Sequence, residues 1–417
     1  MTALNANALE IGNRLRLARK ASSLSLRGLS VKANVSPSNL SRIEKGGIEP
    51  SNRVLKLLLE TLNINLFHDP SQNDWFDQSV KRFYSLLMYM RFNEAKKIYD
   101  SIIAADAYFK ESTRLVEYNF FRYVAILNLR IDFSNLDYYH DLVTFMKAAL
   151  HEDLKRLYII SNSIYLLLKS DFVAARDFLL SNIEEVEDPN SLGRMYYTIA
   201  FTLTNDYKYY HQALKHFKKS MEYFEETMNY ERVNRCKAMQ QVLFVYLHQF
   251  EAFKDSFEAT KKYTTSVDNI ELYYFTLVNQ ARYYIMKEDY RKTLDILTSF
   301  EVELSQYYFY KIFAYFRLGS TIEALNELKR FRGKQGILIT NLDASFLETL
   351  EYGMTNGIND QYLMYCKNLV EYAHQKRDVL IIQMATSLYT EVLEEKRFYK
   401  EAHQVMEKFL HVLYKIQ

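Results

Sequence analysis

Residues 168–179 read LKSDFVAARDFL, and the spacing inside that stretch sets the architecture of most of the chain. An apolar run ends at Leu168, a polar turn follows at Lys169-Ser170-Asp171, and then comes an aromatic residue, Phe172, with a small one, Ala175, three places on. Positions three apart share a helix face. A small residue there lets two antiparallel helices approach, and the aromatic ahead of it plugs the gap to the next pair. The arrangement recurs as Phe92/Ala95 in MRFNEAKKIY, Tyr210/Ala213 in YKYYHQALKHF and Tyr290 in MKEDYRKTLDIL, with Thr293 in the small place. It recurs again as Thr321/Ala324 in RLGSTIEALNEL and Tyr399/Ala402 in EKRFYKEAHQVM, with LHQFEAFKDSF around Phe250 a looser copy. The anchors stand mostly about 40 residues apart, or twice that. Unmarked units around Ile131-Asp132-Phe133 and Asp360-Gln361 fill the wide gaps, giving about nine helical hairpins. No single hairpin buries its own apolar face, so stacking supplies the core.

Composition agrees. The chain has 417 residues, enough for two or three domains or for a solenoid plus a small domain. It holds 10 Gly and 4 Pro, and Pro37, Pro50 and Pro70 all fall in the first seventy residues. Sheets with tight turns need more breakers than this, so an all-α fold is expected. The 35 Tyr and 27 Phe are read mainly as core and inter-helix packing. Cys236 and Cys366 are too few for a disulfide framework and suit a reducing compartment. The start, MTALNANALEIGNRLRLARK, lacks the apolar region of a signal peptide, and no run of 18 apolar residues is present. A cytoplasmic location with no membrane partner is expected.

Charge is distributed unevenly. Residues 1–68 carry ten Lys/Arg against four Glu, a net +6, and since the whole chain is +2 the remainder is −4. A basic head on an acidic body suggests a polyanionic partner for the head alone. Five short helices are expected in the first seventy residues, four of which can be delimited: Leu9 to Lys20, then helices capped by Ser25, Ser36 and Ser51. Pro37 stands at a first helical position, where its missing N–H is harmless. Ala33-Asn34-Val35 makes the turn of a helix-turn-helix. In SPSNLSRIEKG, residues 36–46, only Leu40 and Ile43 are large and apolar. Such a small polar front suits a DNA major groove, where Ser, Asn and Arg meet base edges.

Residues 11–64, IGNRLRLARKASSLSLRGLSVKANVSPSNLSRIEKGGIEPSNRVLKLLLETLNI, resemble the Cro/C1-type (XRE) helix-turn-helix family. The resemblance implies that Arg19 pairs with Glu44. It implies that Ser36, Ser38, Asn39 and Arg42 face the bases of double-stranded DNA, and that backbone around Ser25 and Gly46 meets phosphates. Where the family often has a phosphate-reaching Gln this chain has Leu26, and Arg27 beside it is the expected substitute.

The body resembles tetratricopeptide repeats, with units longer than the common 34 residues or so. The expected fold is therefore all-α: a helix-turn-helix domain over residues 1–68, a linker over 69–76 with Asp74 capping the next helix, and a right-handed tetratricopeptide-like α-solenoid over 77–417. Aligning the repeats on their anchors puts Asn162 (or Ser161), Thr202, Asn205, Arg235, Asn279 and Arg282 on a concave lining. Asn can meet both a peptide N–H and a C=O, and Arg can hold a carboxylate. Each can equally be a solvated or helix-pairing side chain.

No Gly-rich phosphate loop, GxSxG or HExxH occurs, the nine His are scattered, and neither Cys has a CxxC partner. Neither catalysis nor a cofactor or metal is expected. Head and body together resemble the Rap–Rgg–NprR–PlcR–PrgX group of peptide-responsive regulators. The resemblance implies a homodimeric transcription regulator on an inverted-repeat operator, gated by a short linear oligopeptide on the concave face, as in quorum sensing. Two other readings share the same features: a repeat body that docks a protein partner, such as a response regulator or anti-repressor, and a phage or mobile-element regulator of the arbitrium type.

Overall fold

The computed structural model describes residues 3–334 and 340–416. The fold is all-α, 80% helical, with no strand among the described residues. The chain forms two compact units, Met1–Ser191 and Leu192–Gln417.

The first unit begins with α1 (Ala3–Ala21), α2 (Leu26–Lys32), α3 (Pro37–Glu44) and α4 (Asn52–Leu62). Ser25, Ser36 and Ser51 each accept a hydrogen bond from a backbone N–H in the first turn of the helix they precede, the bond that satisfies an orphan donor. Leu15, Leu29, Leu40, Ile43 and Leu58 are wholly buried between these helices. A β-carbon on Gly12 would collide with the Ile43 carbonyl oxygen, so the glycine is what lets α1 lie against α3. The segment holds four helices, not five. Residues 63–69 are non-helical because Asn63 leaves the helix in the left-handed region (φ 51°).

The repeats of this unit are α5 (Pro70–Met88), α6 (Phe92–Ile103), the short α7 (Asp106–Phe109), α8 (Leu115–Leu129), α9 (Leu136–Met146), α10 (Glu152–Leu168) and α11 (Phe172–Asn182). Residues 70–76, assigned above to a linker, are the opening turns of α5. Asp69, not Asp74, is the cap: its carboxylate accepts from Ser71 N–H (2.9 Å) and Gln72 N–H (3.4 Å), with Pro70 at the first position. The core here is aromatic, with Phe76 against Phe109 at 4.6 Å and Phe83 against Phe121 at 4.8 Å between ring centroids.

The second unit takes in α12 (Pro189–Leu203) from Leu192 on and continues through α13 (Tyr210–Glu226), α14 (Tyr230–Tyr246), α15 (Phe250–Ser266), α16 (Ile270–Met286), α17 (Tyr290–Leu297) and α18 (Ser305–Arg317). It ends with α19 (Thr321–Arg332), α20 (Asn341–Asn356), α21 (Asp360–Lys376), α22 (Val379–Glu395) and α23 (Tyr399–Ile416). In both units each anchor read from the sequence is the first residue of the second helix of a hairpin. The residue three on (Ala95, Ala175, Ala213, Phe253, Thr293, Ala324, Ala402) is buried against the first helix.

The turns share a device that composition concealed. Two places before the anchor, Met90, Ser170, His248, Glu288, Gly319 and Arg397 all have positive φ, from 56° to 75°. The next residue donates its N–H back across the turn, as Gln249 does to Phe244 O at 2.8 Å and Phe398 to Leu393 O at 2.8 Å. This is a helix C-terminal motif usually closed by glycine. Only one of the six positions here is glycine, which is how so many turns coexist with so few.

Within the second unit the last helices return to the earlier ones. Arg377 pairs with Asp206, His211 Nε2–H donates to the Ile416 carbonyl (2.9 Å), and Gln383 donates to the Met286 carbonyl (3.2 Å).

Candidate DNA-binding surface and ligand cavity

The head presents α3 with its apolar side inward and its polar front outward. Ser25, Arg27, Ser36, Ser38 and Arg42 are exposed and Asn39 is half-buried, while Leu40, Ile43 and Glu44 are buried. Arg19 donates to both carboxylate oxygens of Glu44 (Nε to Oε1 2.6 Å, Nη2 to Oε2 2.8 Å) and to the Leu24 carbonyl (2.8 Å). The Glu44 hydrogen bond raises the Arg19 pKa. A bidentate pair fixes direction as well as distance, so α1 sets the pitch of α3. Gly46 (φ 67°) sits where a β-carbon would come within 2.6 Å of Leu9 Cα. Packing against α1 therefore demands glycine there, apart from any phosphate contact.

The head is seated on the first repeats. Arg114, just before α8, binds Glu10 of α1 and, at 2.6 Å, Asp77 of α5. Arg16 and Lys20 lie over the Phe145 ring at 5.5 and 5.3 Å. Phe67 exchanges backbone hydrogen bonds with Glu111 O (2.7 Å) and Thr113 N (3.0 Å), and Asn65 reaches the Glu111 carboxylate (2.8 Å). Burial pushes Glu10 and Asp77 up against the opposing pull of Arg114. Glu117 on α8, half-buried, is pushed up to about 7, chiefly by desolvation. None of these junction residues was foreseen, because partners so far apart in sequence leave no local pattern.

The expected lining residues separate into two groups. Asn162, in the first unit, is buried on α10. In the second unit Thr202 is buried and donates to the Ile199 carbonyl (2.7 Å). Arg235 is held by Glu231 (2.9 Å) and Glu271 (3.3 Å), tying α14 to α16. Asn279 is wholly buried, donating to the Ala238 carbonyl (2.8 Å) and Gln241 (3.2 Å). Arg235 and Asn279 are thus engaged in pairing helices, while the Thr202 hydroxyl is bonded within its own helix.

Asn205 and Arg282 instead border a cavity of about 220 Å³ within the second unit. Its wall includes Tyr246, Phe309, Tyr310, Leu347, Asp378 and Leu380. The buried Arg282 guanidinium donates to Tyr310 Oη (2.8 Å) and to Asn279 Oδ1 (2.5 Å), and lies 5.8 and 5.5 Å from the ring centroids of Tyr246 and Tyr310. Among the described residues no carboxylate reaches salt-bridge distance of it. Sequence reasoning missed Tyr246, Tyr310 and Asp378. Tyr246 and Tyr310 reach Arg282 from the neighbouring helices α14 and α18, and Asp378 joins the cavity wall because α22 returns to the earlier hairpins, which repeat alignment does not reveal.

Residues 15–67 match the family described as Helix-turn-helix. Comparison with curated protein sequences gave no significant match. Among solved structures the chain is similar to a Rap protein complexed with competence and sporulation factor, at 11% identity over 82% of this chain and 99% of that one, with a TM-score of 0.64. It is similar to the apo quorum sensor NprR from B. thuringiensis (14%, 82% and 99%, 0.55) and to NprR in complex with its cognate peptide NprX (15%, 82% and 99%, 0.56). The chain has the fold of these receptors. Over most of its length the chain shares this fold, and it carries the helix-turn-helix segment at residues 15–67.

Proposed function

We propose that the chain is a cytoplasmic DNA-binding transcription regulator whose grip on its operator is set by a short linear peptide bound to the repeat body. The observation that carries this is the pairing, in one chain, of the helix-turn-helix segment with the fold of NprR, a quorum sensor solved with its cognate peptide. Ser36, Ser38, Asn39 and Arg42 read base edges, while Arg27 and the backbone at Ser25 and Gly46 meet phosphates. Asn205 and Arg282 mark where the peptide sits. The functional form is a homodimer, with its recognition helices about 34 Å apart on an inverted repeat. Its contact is on α23, where Tyr399, Met406, Leu410 and Tyr414 are exposed along one face.

Gating needs a peptide that prefers one arrangement of the protein over another. Because the head is bonded to α5 and the α8 approach, it moves with the first repeats rather than on a free tether. The test is a gel shift with genomic fragments at two salt concentrations, with and without peptides encoded by neighbouring small reading frames. Salt-sensitive binding that changes with one peptide is expected. DNA affinity unchanged by every peptide would remove the gating.

A further inference from the structure

We infer that the cavity of the second unit takes a single carboxylate of the peptide on Arg282, with an apolar residue next to it packed against Phe309, Leu347 and Leu380. The inference rests on the peptide-receptor reading and adds the chemistry of one subsite. Three observations converge on it.

Arg282 is buried, yet its two hydrogen-bond acceptors, Tyr310 Oη and Asn279 Oδ1, are both neutral. The other arginine expected on the lining, Arg235, has two glutamates. A guanidinium offers five donors in a fork that matches a carboxylate, and here part of that fork borders open space. Asn279, locked to the Ala238 carbonyl, and Tyr310 hold its plane, so the site is organised before any ligand arrives.

The rest of the wall is mixed, with Phe309, Leu347 and Leu380 giving it an apolar side and Asn205, Ser305 and Gln306 a polar one, and its volume of about 220 Å³ is below the roughly 300–1,000 Å³ of pockets that enclose a drug-sized ligand. It has room for a residue or two, not for a whole extended peptide. Two carboxylates share the lining, and both serve helix N-termini: Asp343 accepts from the N-cap Thr340 in a capping box, and Asp378 is itself a cap, accepting from the Ile381 N–H (3.0 Å). Asp378 acts on Arg282 through space without reaching hydrogen-bond distance, so the fork stays open to a ligand carboxylate, and the two set a limit, since a second ligand carboxylate would face them.

The carboxylate can be the peptide's C-terminus or an Asp or Glu side chain, and the experiment separates these. Full-length protein is used to select from random heptapeptide mixtures made as free acids and as C-terminal amides. The retained peptides are read by mass spectrometry, and the best is titrated calorimetrically into wild type, Arg282→Gln and Arg282→Lys. The expected peptide carries one carboxylate beside an apolar residue. Amidation, or Asp/Glu→Asn/Gln in the peptide, weakens it about thirtyfold or more, and whichever change does so identifies the source. R282Q binds as weakly and no longer distinguishes the two forms, while R282K is intermediate. Because the peptide-side change leaves the protein intact, misfolding of a variant cannot mimic the result. Peptides that bind equally well without any carboxylate, or whose carboxylate matters equally in R282Q, overturn the subsite and leave the receptor standing. Retention of no peptide from either mixture overturns both.

Discussion

Arg19 and Glu44 show how a single pair orients the recognition helix. Both side chains are over nine-tenths buried. Glu44→Gln leaves a guanidinium stranded, and unpairing a buried ion pair costs about 3–5 kcal/mol. Amide hydrogen exchange across residues 8–62 should accelerate accordingly, while the double change Arg19→Met with Glu44→Leu should restore most of the protection. Gly12→Ala forces a methyl group onto the Ile43 carbonyl; overpacking of this kind costs roughly 1–3 kcal/mol, visible in the same exchange experiment. Glu117 gives a pH prediction. Its folded pKa of about 7 stands above the usual 4.5, so between those values the folded state binds more protons than the unfolded one. Stability from this group is therefore highest below the lower value, falls as pH rises through the window by roughly 3 kcal/mol, and is flat above it. Denaturant titrations at pH 5 and pH 8 should show that component in wild type and not in Glu117→Gln.

At the scale of elements, the hairpin depends on a small side chain where two helices meet. Ala213 is wholly buried on α13, and Ala213→Leu should destabilise the second unit by about 1–3 kcal/mol, measured by the denaturant midpoint. The anchors beside these positions vary more freely, from buried Tyr210 to exposed Tyr399. The exposed α23 face makes a separate prediction. Leu410→Glu should convert a dimer to a monomer in light scattering and weaken operator binding without altering the far-UV circular dichroism; a dimer that persists moves the contact elsewhere. The element reading was clearest where the signal is local, as at the serine caps and the aromatic anchors. It failed at Asp74 because two acidic residues stood near the start of α5, and only the one beside Pro70 takes the cap.

Across the whole molecule, the basic head and its exposed α3 front predict how the two kinds of DNA contact differ. Arg27→Ala should weaken all sequences alike and lower the salt slope by about 1. Asn39→Ala should cost about 1–3 kcal/mol on the operator and relax its preference at one base pair. Parallel gel shifts on operator and random DNA separate the two. Because Glu10, Asp77 and Arg114 join the head to the first repeats, Arg114→Ala should uncouple peptide response from DNA binding more than it weakens DNA binding itself.

Alone, the amino-acid order determined the helical hairpins, the capped head and the polar front of α3, since each depends on residues within a few positions of one another. Tertiary structure decided which polar side chains of the repeats are spent in pairing helices and which are left facing space. Asn279 and Arg282 stand one turn apart on the same helix, yet one is enclosed against α14 and the other borders the cavity. Tyr310 reaches Arg282 from the adjacent α18, but the cavity wall closes only where the stack curls far enough to bring Asp378 round. Curl accumulates from small rotations at every hairpin, and no single segment of sequence contains it.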